Sequence, residues 1–335
     1  MKTDTPPIDS APWLTFLIVA GSSICFCTKG VFAKLAYAEG ADSLTVLALR
    51  MGMALPVLVV GAWWSGGANG PALSPRDWGR LTVLGFLGYY FSSFVNFTGL
   101  EYISGGLERI ILYTYPSLVL LGSAVWFRRA VPGVIWAALA VTYAGIVCAF
   151  AGEARSTSVP TSRLAMGMSL VFLSAVTYAI FILLSGELLR RMGALRFMSH
   201  VVGLSAVMIL VHFAVTHPLR HLVELTPRVY FYGAVLAGLG TLVPSYLLGV
   251  GLKRAGAQRF ALIGSVGPVT TLILARLLLK EPVHALQLAG FVLCLAGGLA
   301  VALMKSTGSK LVTAAVARQE SAAGVNSAIP ESPPS

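Results

Sequence analysis

The stretch GLEYISGGLERIILYTYP at Gly99–Pro116 is repeated, in altered form, as GLKRAGAQRFALIGSVGP at Gly251–Pro268. The offset between the two copies is 152 residues at both ends. Without any insertion, the same offset pairs identical residues elsewhere in the chain: Gly88 with Gly240, Ser93 with Ser245 and Gly145 with Gly297. A repeat of this length indicates a duplicated domain rather than a solenoid unit. The chain therefore consists of two related halves.

The composition is that of an integral membrane protein. Of the 335 residues, 56% are hydrophobic and only 11% are charged, and the mean hydropathy is +0.81. Soluble domains average about 25% charged residues. The net charge of +11 raises the question of nucleic-acid binding, but the basic residues lie between apolar runs, where positive charge orients a protein in a bilayer. The sequence therefore disfavours a nucleic-acid partner.

The four cysteines do not indicate a disulfide framework or a metal site. Cys25, Cys27, Cys148 and Cys294 all fall inside apolar runs. The first 11 residues carry one lysine and two aspartates, and the apolar run that follows is long enough to span a bilayer, so we do not expect a cleavable signal peptide. Neither a metal nor another cofactor is predicted.

Apolar runs of about 20 residues predict ten membrane-spanning helices. The spans are 12–34, 43–64, 79–99, 104–127, 131–151, 163–186, 196–216, 228–250, 257–279 and 283–304. All are expected to be helical, because backbone polar groups in hydrocarbon must be satisfied within their own segment. The chain divides into an N-terminal tail (1–11), a first repeat (12–152), a linker (153–162), a second repeat (163–304) and a polar, disordered C-terminal tail (305–335).

The distribution of basic residues predicts the orientation. With the N-terminus on one side, that side collects fourteen Lys and Arg residues and the other side eight. The positive-inside rule then places both termini in the cytoplasm. Because each repeat has five helices, an odd number, the second repeat enters the membrane with the opposite polarity. Inverted repeats of this kind support alternating access around a site at the bilayer midplane.

Ten helices in a 5+5 inverted duplication, with GLEYISGGLERIILYTYPSLVLLGS in one half and GLKRAGAQRFALIGSVGPVTTLILARLLLKEP in the other, resemble the drug/metabolite transporter superfamily. The similarity covers residues 12–304 and is to EamA-type members, with the tyrosine-rich third and fourth helices most similar to those of YddG-type aromatic amino acid exporters. The resemblance implies efflux across a bacterial inner membrane. It also implies a central cavity framed by helices three, four, eight and nine, and closed by one and six. Arg129 stands where the second half has Glu281, a departure from the family pattern.

Aromatic and hydroxyl residues on these helices are the candidate substrate-binding residues. They suit a neutral or zwitterionic metabolite with a ring or alkyl side chain. The alternative is that they are ordinary lipid-facing, interfacial or helix-packing residues. The candidates are Phe26, Tyr90, Phe94, Tyr113, Tyr178, Ser245, Tyr246 and Ser265. Tyr89, near a helix end, is assigned to the aromatic belt. His212 is interpreted as a packed or peripheral histidine, with a proton relay as the alternative.

Pro116 and Pro268 occupy equivalent positions in the two halves. A proline inside a helix removes one hydrogen bond and kinks the chain. The pair could therefore form a flexible wall of the cavity, or a static bend that serves packing. We take them as candidate gating residues.

Charged residues within the spans are few. Arg50 lies about two turns into the second span, where it could recognise a carboxylate, form a structural pair or snorkel. Lys29 is interpreted as lying close enough to a helix end to snorkel. Glu101, Glu108, Glu187 and Glu281 all fall at span termini, so the sequence shows no carboxylate at mid-membrane for proton exchange.

The function predicted from the sequence is an inner-membrane exporter of neutral, aromatic amino acids or similar small metabolites. A facilitator driven by the substrate gradient fits the missing carboxylate. Proton-coupled multidrug efflux is the alternative, and an integral membrane enzyme or sensor scaffold is the non-transport alternative. The expected partners are a small-molecule substrate and the lipid bilayer. One chain holds both halves, so a monomer could work, and the sequence leaves the oligomeric state open.

Overall fold

The structure, a computed structural model, describes residues 12–66, 73–126, 133–218, 220–247, 250, 266–280, 284–298 and 300. Every regular element in these ranges is helical. The helices are α1 (Pro12–Ala38), α2 (Ser43–Gly66), α3 (Pro75–Gly85), α4 (Ser92–Leu100), α5 (Gly105–Leu112), α6 (Tyr115–Trp126), α7 (Gly133–Ser156), α8 (Thr161–Met192), α9 (Ala194–Thr216), α10 (Arg220–Val223), α11 (Pro227–Ala237), α12 (Val266–Leu274) and α13 (Ala285–Gly298).

Local sequence explains several of the helix ends. Ser74 and Asp77 form a reciprocal capping box at the start of α3, and Ser104 caps α5 by accepting from the amide of Leu107. The single residue between α8 and α9 is Gly193, whose φ of 79° lies in the left-handed region that favours glycine. These signals agree with the short connections expected from the sequence.

Six helices in the described part of the chain are long and apolar enough to cross a membrane. They are Trp13–Ala38, Ser43–Ser65, Gly133–Ser156, Thr161–Leu189, Ala194–Thr216 and Pro227–Leu247. The predicted span 104–127 is divided, because the chain turns at Tyr113 and Thr114 between α5 and α6. The predicted spans 257–279 and 283–304 lie partly outside the described residues.

The duplication is visible in an uncommon feature of the backbone. Three π-helical segments lie in the described residues: Phe86–Phe91 joins α3 to α4, Gly238–Leu242 follows α11, and Ala275–Leu279 follows α12. The first two begin 152 residues apart, the offset of the sequence repeat. π segments are rare and are often found at functional sites. Their equivalent placement marks this level of the fold as the place to look for a site.

Helices α7 and α13 make a reciprocal contact between the two halves. A Cβ added at Gly145 would lie 2.6 Å from the carbonyl oxygen of Gly290, and one added at Gly297 would lie 2.6 Å from that of Ala138. Gly297 is the counterpart of Gly145, and Gly290 is the counterpart of Ala138. Such an exchange of partners is what a two-fold relation between related elements produces.

Ion pairs join the two halves beyond both ends of α2. Before α2, Arg228 at the start of α11 pairs with Glu39 at 3.1 Å. After α2, Arg191 near the end of α8 pairs with Asp77 near the start of α3. Glu39 and Arg191 are counterparts in the repeat. The two ion pairs therefore occupy closely equivalent places, and the first half supplies the acid to both while the second half supplies the base.

Candidate functional site

A buried polar cluster lies between α1, α4 and α5. Glu108 on α5 is fully buried, and its Oε1 accepts a hydrogen bond from the side-chain amide of Asn96 at 3.0 Å. Lys29 on α1 donates to Asn96 Oδ1 at 3.0 Å and lies 3.9 Å from Glu108 Oε1. Arg109 Nε lies 3.9 Å from Glu108 Oε2, while its Nη2 donates to the backbone oxygen of Phe26 at 2.9 Å. The cluster thus holds one carboxylate between two cations.

Arg50 on α2 lies between the first two π segments. Its side chain is almost completely buried, with 3% exposed, and its Nε donates to Thr241 Oγ1 at 2.7 Å. Thr241, in the second π segment, in turn donates to the carbonyl of Leu236, five residues before it in α11. Its counterpart in the first π segment is Tyr89, which also interacts electrostatically with Arg50. Equivalent positions of these two π segments therefore lie near one guanidinium, and Thr241 is the one that accepts its hydrogen bond.

Phe97 joins Arg50 to the cluster of Lys29, Asn96, Glu108 and Arg109. Its buried ring lies 5.2 Å from the Arg50 guanidinium and 5.5 Å from Lys29 Nζ. Cations held against an aromatic ring are stabilised by its quadrupole. We call the five polar residues together the charged cluster: Lys29, Arg50, Asn96, Glu108 and Arg109.

The charged cluster is formally positive. Lys29 interacts electrostatically with Glu108, Arg109 and Arg50, so three cationic side chains lie around one carboxylate, a formal excess of two positive charges. Arg50 Nη1 is buried with no hydrogen-bond partner among the described residues. Burying charge without full compensation is costly. The arrangement can therefore attract and hold an anionic group.

A chain of aromatic rings extends from the charged cluster. Tyr115, which interacts electrostatically with Arg109, packs edge-on against Tyr178 with ring centroids 5.5 Å apart. Tyr178 contacts Phe181 at 5.7 Å, and Phe181 contacts Tyr89 edge-on at 5.5 Å. Tyr89 is thus buried at 6% exposure in the interior, and its assignment to the aromatic belt is wrong. The rings give the charged cluster an apolar neighbour.

Tyr90 and Phe94 lie together, at a different place from this chain of rings. Both rings pack against His212 of α9, with centroid distances of 5.9 and 5.1 Å, and Tyr90 Oη is 3.1 Å from His212 Nδ1. The spacing of four residues does bring them to one partner, as expected for a shared helix face. Their role in substrate binding stays a prediction.

Three of the other candidate residues lie near the charged cluster or the rings beside it. Tyr178 is in the chain of rings, the backbone of Phe26 accepts from Arg109, and Ser245 is buried and interacts with the hydroxyl of Tyr89. Tyr246 instead reaches the contact between α2 and α9, where its hydroxyl lies close to Gly61.

The described surroundings of Tyr113 are next to α13. Tyr113 borders a small gap with Ile110, Phe291, Cys294 and Leu295, next to α13. Ser265 lies outside the described residues. Their predicted roles are therefore untested.

Pro116 and Pro268 both lie in helices, and the structure describes their backbone but not their side chains. Pro116 is the second residue of α6, after the turn at Tyr113 and Thr114, rather than inside a continuous helix. Proline is tolerated in a first turn because its missing N–H would have no intrahelical partner. The bend here therefore arises from the break between α5 and α6. Pro268 lies within α12, and the gating role of both stays a prediction.

Sequence reasoning missed the charged cluster. Lys29 does not lie at a helix end, since α1 continues to Ala38, and its ammonium contacts Asn96 and Glu108 instead of snorkelling. Glu108 is near a helix start, yet it is fully buried inside the protein. Arg50 does not snorkel either, because it donates to Thr241. The sequence signal that could have indicated the cluster was the position of Asn96 and Glu108 on either side of the turn between α4 and α5.

Within the described part of the chain, no group of three or more His, Cys, Asp or Glu side chains is arranged to hold a metal ion. The buried polar contacts of the charged cluster are hydrogen bonds and ion pairs.

Comparison with known proteins agrees with this picture. The profile of the EamA-like transporter family matches twice, to residues 13–151 and 165–303. The uncharacterized transporter YcbK of Bacillus subtilis (strain 168) is 26% identical over 291 residues, covering 84% of this chain and 90% of that protein. The uncharacterized transporter sll1319 of Synechocystis sp. is 23% identical over 302 residues, covering 82% and 88%. A solved structure titled "Crystal structure of protein" superposes with a TM-score of 0.60 at 16% identity, covering 87% of this chain and 97% of that one, which shows a shared fold.

Proposed function

Because the chain belongs to the EamA-like transporter family, a family of membrane transporters, we propose that it moves a small metabolite across the bacterial cytoplasmic membrane by alternating access. The observation that carries this proposal is the charged cluster, which α1, α2, α4 and α5 hold beside a π segment from each half. Polar groups buried inside a membrane protein are expensive and mark substrate or ion pathways. Helices of both halves meet at the cluster, so relative motion of the halves would change access to it.

We propose that the complete fold has ten membrane helices in a 5+5 inverted arrangement. The equivalent π segments, and the reciprocal contact of α7 with α13, support a two-fold relation between the halves. The repeats would span 12–152 and 163–304, joined by 153–162, with cytoplasmic tails at 1–11 and 305–335. The excess of Lys and Arg on the side of the N-terminus supports this orientation.

Amino acids with a ring side chain are the first substrates to test. Their carboxylate would meet the guanidinium of Arg50, and their ring would meet the chain of Tyr89, Tyr178 and Phe181. Export from the cytoplasm is the direction proposed from the family resemblance. No cofactor is needed, and a single chain would suffice.

The experiment is efflux from proteoliposomes that contain the purified protein and labelled amino acids. Efflux of phenylalanine, tyrosine or tryptophan above that of protein-free liposomes is expected. Replacing Tyr178 by Ala should slow this efflux, because its ring packs beside the charged cluster. If none of the twenty standard amino acids moves, amino acid export is wrong.

Proton-coupled efflux is the second candidate, and Glu108 is the observation that favours it. This carboxylate is buried and paired with Lys29, so protonation would break a charge pair next to the proposed site. The coupled mechanism predicts that substrate addition changes the pH inside vesicles, and that Glu108→Gln abolishes the change. A gradient-driven facilitator predicts flux without any pH change.

A further inference from the structure

The guanidinium of Arg50 has binding capacity that the described protein groups do not use. Its Nε is occupied by Thr241, but Nη1 has no partner although the side chain is 97% buried. A guanidinium presents five N–H donors in a planar fork and remains charged in proteins. A buried donor without an acceptor is costly, and it points to an acceptor supplied from outside the protein.

The charges around Arg50 indicate that this acceptor is an anion. Glu108 is already matched by Lys29 and Arg109, each 3.9 Å from one of its oxygens. Arg50 has no carboxylate partner among the ion pairs of the described residues, and its cation–π contact with Phe97 does not neutralise it. An incoming ammonium would enter an environment that already has a formal excess of positive charge. An incoming anion would be attracted to it.

The aromatic side chains near Arg50 indicate that the anionic group belongs to a molecule with a ring. Tyr89 interacts with Arg50 and packs edge-on against Phe181, which continues to Tyr178. The hydroxyl of Tyr89 is buried without a hydrogen-bond partner of good geometry. A ring stacked along these side chains could place its carboxylate against the guanidinium and the Tyr89 hydroxyl together.

We infer that Arg50 is the carboxylate-binding residue of the transport site, and that the preferred substrates are aromatic organic acids of net negative charge. This inference rests on the proposed transport function and ranks aromatic organic acids above amino acids as its substrates. Amines without a carboxylate are excluded by the excess of positive charge. Zwitterionic amino acids bind more weakly than the corresponding 2-oxo acids, because their ammonium group meets the same positive field.

A matched series of ligands tests the inference without changing the protein. Phenylpyruvate, phenylalanine, phenylethylamine and phenyl phosphate share one ring and differ in charged groups. Binding to purified protein in detergent is measured as ligand-dependent thermal stabilisation. Phenylpyruvate should bind most tightly, phenylalanine more weakly and phenylethylamine not at all. Equal binding of the amine, tighter binding of phenyl phosphate, or no binding of phenylpyruvate would each overturn the assignment.

Variants then locate the site. Arg50→Gln should weaken phenylpyruvate binding by about 10- to 100-fold, the loss expected for a charged hydrogen-bonded pair. Arg80→Gln is the matched control, because Arg80 lies in an exposed pair with Glu187 and should leave binding unchanged. If Arg50→Gln cannot be purified, Arg50→Lys keeps the charge but loses the fork and should still weaken binding. Wild-type affinity in Arg50→Gln, or in Arg50→Lys where only that variant can be purified, would overturn the inference.

Flux separates this inference from the proposed function. Phenylpyruvate that binds through Arg50 but is not moved in proteoliposomes would leave the binding site intact and contradict transport. Conversely, flux of phenylethylamine at the rate of phenylpyruvate would support transport and overturn the carboxylate site.

Discussion

The two halves share a backbone plan but differ in what they bury. Both carry a π segment at the same place, and α7 and α13 exchange equivalent contacts. The charged residues, however, lie in the first half, and their counterparts in the second half are apolar: Phe181 for Lys29, Val202 for Arg50, Phe260 for Glu108 and Ala261 for Arg109. The duplication therefore supplies related backbone elements around a charged cluster whose charges only the first half carries.

This difference between the two halves bears on the role of the charged cluster. If buried charges were needed for the fold, the second half would need them in equivalent places. Replacing a buried ion pair by well-packed apolar residues is often neutral or stabilising, and the second half has apolar residues at these positions. The first half keeps the charges at an energetic cost, which favours a role in transport over a role in folding.

Removing the carboxylate should have the largest effect on stability. Glu108→Gln leaves Lys29 and Arg109 without their common counter-charge in a buried site, and we expect a loss of about 3–5 kcal/mol in the free energy of unfolding. The measurement is thermal or denaturant unfolding of the purified variant in detergent. The control is Glu187→Gln, which breaks the exposed pair with Arg80 and should change stability little. Equal effects of the two variants would show that Glu108 is not an energetic centre of the first half.

The reciprocal contact of α7 with α13 predicts that substitutions at equivalent positions lower the free energy of unfolding equally. Gly145→Val and Gly297→Val each force a side chain against a carbonyl oxygen of the opposing helix, and each should destabilise by about 1–3 kcal/mol or more. Gly203→Ala on α9 is the control, because an added Cβ there meets nothing within 4 Å. A large cost at one of the two positions and none at the other would contradict the two-fold contact.

The ion pairs beyond the ends of α2 give the smallest expected effect, and one that depends on pH. A hydrogen bond from Arg191, with further bonds from Ser74, lowers the pKa of the Asp77 carboxyl to about 2, below the value of about 3.9 for a free aspartate. A lowered pKa in the folded state means that the stabilisation is fully present above about pH 4 and is lost as the pH falls towards 2.

The test compares wild-type protein with Asp77→Asn in unfolding experiments from pH 5 to pH 2. The stability difference should be largest at pH 5 and vanish near pH 2. Glu39→Gln breaks the related pair with Arg228 and shows whether the two ion pairs contribute alike. A difference between wild type and Asp77→Asn that stays constant over this pH range would contradict the role given to the Asp77 pair.

Much of the fold could be predicted from the sequence, because long apolar runs and turn residues act locally. The second span, predicted as 43–64, is α2 at Ser43–Gly66, and the seventh, predicted as 196–216, is α9 at Ala194–Thr216. Gly99 and Leu100 end α4, and Gly105 opens α5, between the predicted spans 79–99 and 104–127. The division at Tyr113 and Thr114 could not be predicted, because no charge or hydropathy change marks it.

The charged cluster was harder to predict, because it depends on contacts far apart in the sequence. Lys29 and Asn96 are 67 positions apart, and Arg50 and Thr241 are 191 apart. From their positions in the apolar runs, Lys29 is predicted to snorkel and Glu108 to lie at a span terminus. These predictions miss the cluster because an apolar run does not show how far its helix continues. The aromatic residues were easier to predict as a class than as a site: Tyr178 lies beside the charged cluster, whereas Tyr90 and Phe94 lie with His212.

The paired π segments also record history. A π segment places one more residue in a helix than regular α-helical winding would, and Phe86–Phe91 and Gly238–Leu242 begin at equivalent places. The simplest origin is an insertion that was already present when the duplication produced the two repeats. On that account this irregularity of the backbone is older than the charges that only the first half carries.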